Sequence, residues 1–147
     1  MIERFDIFTT TITQIYKSLQ RIKNREMTEV NLKGTHVMCI FKLNRNPEGM
    51  TLTALSAACE EDKAAMSRTV AELTRLGYVK TAAINRYRAP VMLTDKGMEI
   101  AAKVDEMVIE AVNAGGSGLT EDERRTFYKA LTLISDNLKN YLKEGAE

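Results

Sequence analysis

The stretch Met50–Val79, MTLTALSAACEEDKAAMSRTVAELTRLGYV, constrains the fold more than any other part of the chain. Thr51 and Asp62 are residue types that cap helix N-termini, and each stands before a run of helical periodicity. The second run continues to about Leu76. Gly77 then occupies the place where a helix commonly ends in a left-handed residue, and an extended run follows. The pattern predicts two short helices joined by a tight turn and followed by a strand.

The second of these helices has two different faces. At about 100° per residue, Met66, Val70 and Leu73 fall on one side. The other residues share small, hydroxyl or basic side chains, which can lie close against a DNA groove or reach guanine edges and phosphates. We predict that the DNA contacts of this helix are Lys63, Ala64, Ser67, Arg68, Ala71 and Arg75. An ordinary amphipathic helix with a solvated face is the alternative interpretation.

A basic, extended segment follows the second helix. Residues 79–82 and 89–94 have the pattern of two short strands, with a polar tip at Asn85, Arg86 and Arg88 between them. Two helices followed by such a hairpin form the winged version of a helix-turn-helix. We therefore predict that Arg86 and Arg88 contact DNA from the wing.

The net charge limits where a nucleic acid can bind. The chain has 21 Lys and Arg residues against 20 Asp and Glu residues, a net charge of +1. This balance excludes a strongly basic coat, so DNA binding needs a local patch. Between Lys63 and Arg88, six basic residues stand against one acid, Glu72. That segment is such a patch.

Catalytic and metal chemistry have little support in the sequence. There is no glycine-rich phosphate loop after a strand, no HExxH motif and no nucleophile elbow, so we expect no enzyme activity and no cofactor. His36, Cys39 and Cys59 do not make a familiar zinc set, and we expect no metal. Buried, reduced thiols in a cytoplasmic protein are favoured over a redox sensor. Neither a signal peptide nor a membrane-spanning run is visible.

Helices with heptad-like apolar stripes are predicted at both ends of the chain. The first stripe runs from Phe5 to Ile22 in steps of three and four, and the second runs from Phe127 to Tyr141. Thr120 and Glu123 form a capping box before the second stripe. Such stripes need partner helices, and we predict a homodimer. Helices that simply cover the core of a monomer are the alternative.

The remaining segments complete the predicted architecture. A helix is expected over residues 34–43, a turn at residues 46–49 and a long helix from Asp95 to about Asn113. The fold class is mainly α with a small β-hairpin wing (α+β). We predict a single domain, 1–147, with a winged-helix DNA-binding part at about 34–94 and dimerisation helices at about 1–33 and 95–147.

Two motifs at this spacing resemble the MarR family of winged helix-turn-helix transcriptional regulators. The first is Leu73–Val79, LTRLGYV, which closes the second helix, and the second is Leu93–Gly97, LTDKG, which follows the wing. With the order of the helices, the resemblance covers nearly the whole chain. One departure is Asn85, which stands where the family wing usually carries an aspartate. Asparagine cannot make that aspartate's salt bridge.

The resemblance implies a function in transcription regulation. A member of this family is a dimer that binds a pseudo-palindromic site on double-stranded DNA, with recognition helices in the major groove and wings towards the minor groove. It also implies a repressor that a small aromatic or anionic effector releases. The sequence does not identify an effector site; His36 and Met38 are the candidates. A winged-helix adaptor that binds protein and not DNA is the alternative function.

Overall fold

The computed structural model describes residues 1–81 and 89–144. Its elements, with a short 3-10 helix at Thr28–Val30, are α1 (Ile2–Glu26), α2 (Gly34–Asn44), α3 (Leu52–Ala58), α4 (Lys63–Arg75), β1 (Val79–Thr81), β2 (Val91–Leu93), α5 (Asp95–Gly115) and α6 (Glu121–Glu144). The two strands are antiparallel, with Val79 paired to Leu93 and Thr81 paired to Val91. The predicted class, mainly α with a small hairpin, is confirmed.

Residue types at the helix ends explain where the helices begin. The Thr51 hydroxyl accepts from the Ala54 backbone N–H at 3.1 Å, and the Asp62 carboxylate accepts from the Ala65 backbone N–H at 2.7 Å. Both predicted caps are therefore confirmed. Helix α4 ends one residue earlier than expected, at Arg75, and Gly77 has the left-handed φ of 80° that the sequence pattern predicted.

The chain divides into two compact units, Met1–Ala111 and Val112–Glu147. The first unit contains the two short helices, the hairpin and the hydrophobic core. Its most completely buried side chains come from α2, α3, α4 and α5 and include Ile40, Leu43, Leu55, Leu73 and Val104. The second unit contains the end of α5 and all of α6. Its capping box is confirmed, because the Thr120 N–H donates to Glu123 at 2.8 Å and the Glu123 N–H donates to Thr120 at 3.3 Å.

The burial of several apolar side chains does not follow from the sequence pattern. Phe41, in the helix predicted over residues 34–43, is only half-buried and packs at the edge of the core. Cys59 is half-buried as well, so the expectation of buried thiols holds for Cys39 alone. The segment after α1 has no apolar period, yet Met27 and Leu32 are both 3% exposed. A single left-handed residue between them, Asn31 with a φ of 55°, turns the chain so that both face the core.

Across the described ranges, no helix has the length and hydropathy needed to cross a membrane.

Candidate nucleic-acid interface

Helix α4 is held by its apolar face. Met66 and Leu73 are 1% and 0% exposed, and Val70 is also buried. The helix packs on both α2 and α3 through this face. Fixing one side of a helix in this way determines which residues the other side presents.

The opposite face of α4 is open to solvent. All six residues that the sequence predicted to contact DNA on this helix are exposed: Lys63, Ala64, Ser67, Arg68, Ala71 and Arg75. In the part of the chain that the structure describes, neither Arg68 nor Arg75 takes part in an ion pair. Their guanidinium groups are therefore available to phosphates or to base edges.

The segment after β2 fastens the C-terminal end of α4. The Thr94 hydroxyl donates to the Gly77 carbonyl at 2.6 Å, and the Thr94 N–H donates to the Tyr78 carbonyl at 3.0 Å. The Lys96 ammonium donates to the Leu76 carbonyl at 2.8 Å and lies 4.6 Å from the Tyr78 ring centroid. A cation there satisfies a helix-end carbonyl and complements the helix dipole. The two MarR-like motifs, Leu73–Val79 and Leu93–Gly97, therefore contact each other.

The described part of the hairpin is joined to the segment that precedes α3. Beyond the β1–β2 pair, Met50 forms a bridge with Val91, and the two exchange backbone hydrogen bonds of 3.0 and 2.8 Å. The wing residues that the sequence singled out, Asn85, Arg86 and Arg88, lie outside the described residues.

His36 forms a contact that the sequence reasoning missed. The side chain is 1% exposed, and its Nδ1 accepts from the Lys33 N–H at 3.0 Å. Because Nδ1 accepts, Nε2 carries the proton of the neutral ring, and it donates to Glu72 Oε2 on α4 at 3.1 Å. Both ring nitrogens therefore have protein partners. Met38, the other effector candidate from the sequence, is half-buried on α2.

Burial of His36 makes the fold sensitive to acid. Burial lowers the pKa of this imidazole below 6.5, Glu72 opposes that shift through its charge and hydrogen bond, and Lys33 adds to it. The pKa of His36 is therefore lower in the folded protein than in the unfolded chain, and at pH values between the two the unfolded chain binds more protons. The contribution of neutral His36 to folding stability is complete above pH 6.5 and is lost as the pH falls.

We therefore expect the free energy of unfolding to decrease between about pH 7.5 and about pH 5.5. His36 is the only histidine, so no other side chain has its ordinary pKa in this window. Urea unfolding at the two pH values measures the decrease. His36→Leu should remove most of it, and an equal decrease in that variant would assign the effect to other groups.

The thiols have the character of structural groups. Burial raises the pKa of the Cys39 thiol to about 12, with a smaller contribution from the neighbouring Cys59. Burial also raises the pKa of Cys59, against the lowering effect of Lys42. A raised pKa keeps a thiol protonated and unreactive at neutral pH, which favours the structural role over a redox role. Among the described residues, no group of three His, Cys, Asp or Glu side chains is placed to hold a metal ion.

The first unit contains a cleft that could admit a small molecule. Its volume is about 250 Å³, and it lies between the segment after α1 and the middle of α5. The lining residues are Met27, Glu29, Val30, Lys103, Glu106, Met107 and Glu110. Three carboxylates against one ammonium group do not favour an anionic ligand at this place. Neither His36 nor Met38 lines the cleft.

Comparison with known proteins supports this architecture. The family model of the IclR helix-turn-helix domain matches residues 42–83, which include α3, α4 and β1. No match is found among curated protein sequences.

Solved structures that share the fold include three regulators. The MarR protein from Peptoclostridium difficile DA00132 is 20% identical, with a TM-score of 0.83 and coverage of 92% of this chain and 89% of that one. A MarR transcriptional regulator from Methanosarcina mazei Go1 is 19% identical, with a TM-score of 0.81 and 92% coverage of both chains. The transcriptional regulator SlyA is 19% identical, with a TM-score of 0.81 and coverage of 90% and 94%. The chain therefore has the winged-helix fold of the MarR-type regulators, as its sequence motifs predicted.

Proposed function

We propose that this protein is a sequence-specific double-stranded DNA-binding transcriptional regulator. The observation that carries the proposal is the solvent-exposed face of α4, which presents small residues, Ser67 and two arginines that are not in ion pairs within the described chain. Small side chains let the helix approach the major groove, and Arg68 can pair with the O6 and N7 atoms of guanine. The helix-turn-helix match and the similarity to MarR-type regulators of known structure support the same conclusion.

The regulator is proposed to act as a homodimer on a pseudo-palindromic site. Residues 34–94 form its DNA-binding part, and residues 1–33 and 95–147 supply the dimerisation helices. Both terminal helices expose large apolar side chains in the single chain; Phe5 is 69% exposed on α1, and Leu138 is 51% exposed on α6. Exposed apolar stripes of this length mark an interaction surface.

Release by a small-molecule effector completes the proposed function, with the protein acting as a repressor. The cleft defined above can hold a small ligand, and its acidic lining favours a cationic group over the anion that the family resemblance implied.

The function is tested by a gel shift on mixed genomic fragments at several salt concentrations. Binding that weakens with salt in proportion to the phosphates contacted supports DNA recognition. A protein that binds none of the fragments at low salt would be the protein-binding adaptor instead.

Arg68→Ala should remove discrimination as well as affinity. We expect a loss of about 1–3 kcal/mol per half-site if the side chain pairs with guanine. The measurement compares affinities for a selected operator and a scrambled duplex. Arg125→Ala, which removes the same charge from an exposed position on α6, serves as the control and should change neither affinity appreciably. Equal losses on operator and scrambled DNA would make Arg68 a phosphate contact.

The wing arginines should behave differently from Arg68. Arg86 and Arg88 belong to a hairpin tip in the sequence, and such tips reach phosphates or a narrow minor groove. Replacing both by alanine should weaken binding to operator and scrambled DNA alike and flatten the salt dependence. If specificity disappears in this variant and survives in Arg68→Ala, then the wing reads the sequence and the helix does not.

A further inference from the structure

The recognition helix carries one acid in an otherwise basic and neutral sequence. Glu72 is the only Asp or Glu in Lys63–Arg75. It follows Arg68 by four residues and precedes Arg75 by three, which are the two spacings at which side chains on a helix meet. In an isolated helix, Glu72 would pair with either arginine. A carboxylate at this place would also repel DNA phosphates.

The structure holds this carboxylate elsewhere. Glu72 Oε2 accepts from His36 Nε2 at 3.1 Å, and neither Arg68 nor Arg75 is in an ion pair within the described residues. The His36 ring is itself fixed, because it is fully buried and its Nδ1 accepts from the Lys33 N–H at the start of α2. The donor that holds Glu72 therefore belongs to a different helix and cannot follow the carboxylate if it moves.

We propose that His36 is a positioning residue for DNA recognition: it keeps the Glu72 carboxylate off the DNA-binding face so that the two arginines of α4 stay free. This role rests on the proposed function. A released carboxylate would compete with phosphates for Arg68 and Arg75, and it would add a negative charge beside the DNA backbone. Both effects weaken binding to any sequence, so they can be measured before the operator is known.

The test uses four full-length proteins: wild type, His36→Leu, Glu72→Gln and the double variant. Leucine fills the buried site without a donor, whereas glutamine keeps an acceptor for His36 and removes the charge. Affinities are measured for a labelled mixed-sequence DNA duplex at low and moderate salt. His36→Leu should bind about fivefold more weakly as a dimer. Glu72→Gln should bind at least as tightly as wild type, and in the double variant it should restore the wild-type affinity.

Rescue separates this role from a merely structural one. If His36→Leu weakens binding only because it loosens the fold, then Glu72→Gln cannot restore the affinity, and that result overturns the inference. Unchanged binding by His36→Leu also overturns it. Glu72→Asp is the second test, because it leaves the buried His36 site intact while its shorter side chain draws the carboxylate back from His36. This variant should bind DNA more weakly than wild type. Wild-type affinity would contradict the inference even if His36→Leu fails to fold.

Urea unfolding of the same four proteins distinguishes a failure of the positioning role from a failure of the proposed function. A non-additive loss of stability in the double-mutant cycle measures the His36–Glu72 contact without DNA. If this coupling is present but the wild type binds no duplex at low salt, then the proposed function has failed and the positioning role fails with it. If the wild type binds DNA and the variants bind equally, then only the positioning role is wrong.

Discussion

Replacing Gly97 by alanine is expected to destabilise the folded protein strongly. The first turn of α5 crosses the end of α4 so closely that a Cβ at residue 97 would overlap the Tyr78 carbonyl oxygen and would lie 3.0 Å from the carbonyl carbon. Both atoms belong to the backbone, so no rotamer change can make room. The carbonyl also accepts from the Thr94 N–H at 3.0 Å, and moving it would break that hydrogen bond.

The expected loss is about 3 kcal/mol or more of unfolding free energy, because over-packing against backbone exceeds the cost of over-packing between side chains. Urea unfolding at neutral pH measures it. Gly115→Ala is the matched control, since its added Cβ meets no atom within 4 Å apart from its chain neighbours and the backbone of its own helix. It should be neutral or slightly stabilising. A Gly97→Ala protein with wild-type stability would show that α5 and the end of α4 can separate without cost.

Local chemistry accounts for the parts of the fold that the sequence predicted well. A helix N-cap depends only on a side chain and the backbone N–H three residues later. The caps predicted at Thr51 and Asp62 are both found. The apolar period of α4 is equally local, so its buried and exposed faces follow from spacing alone. The six helix residues proposed to contact DNA follow from the same spacing, and all six are exposed.

Contacts between distant segments account for what was missed. His36 and Glu72 are 36 residues apart, and nothing in either local pattern indicates that they meet. The burial of Met27 and Leu32 depends on one left-handed residue between them, and the spacing of apolar residues does not predict such a backbone conformation. The two MarR-like motifs are a further example. Each motif can be recognised in the sequence, but only the structure shows the hydrogen bonds from Thr94 and Lys96 that join them.

These contacts give α4 fixed supports at several points. Asp62 caps its start, Thr94 and Lys96 hold the residues after its end, and His36 holds its only acid. A recognition helix gains specificity when its side chains are held in place by a surrounding shell of contacts. Dimerisation would extend the same effect, because it sets the distance between two such helices.

Leu138→Glu is expected to split the proposed dimer and to reduce DNA affinity about 10²-fold or more, because a monomer loses the effective concentration that links two half-sites. Leu138 lies on the apolar stripe of α6 with Phe127 and Ile134, and all three are at least 39% exposed in the single chain. A carboxylate on that stripe would have to be buried without a partner when two copies associate, and such burial costs several kcal/mol.

Thr132→Glu is the control, since residue 132 lies on the other side of α6 and is already exposed. It adds the same charge to the same helix and should leave the dimer and the DNA affinity intact. Sedimentation velocity measures assembly, and fluorescence anisotropy on a selected operator measures affinity. A Leu138→Glu protein that stays dimeric would remove α6 from the interface. A monomeric variant that still binds the operator with wild-type affinity would show that one recognition helix and one wing are sufficient, and a two-fold site would then be unnecessary.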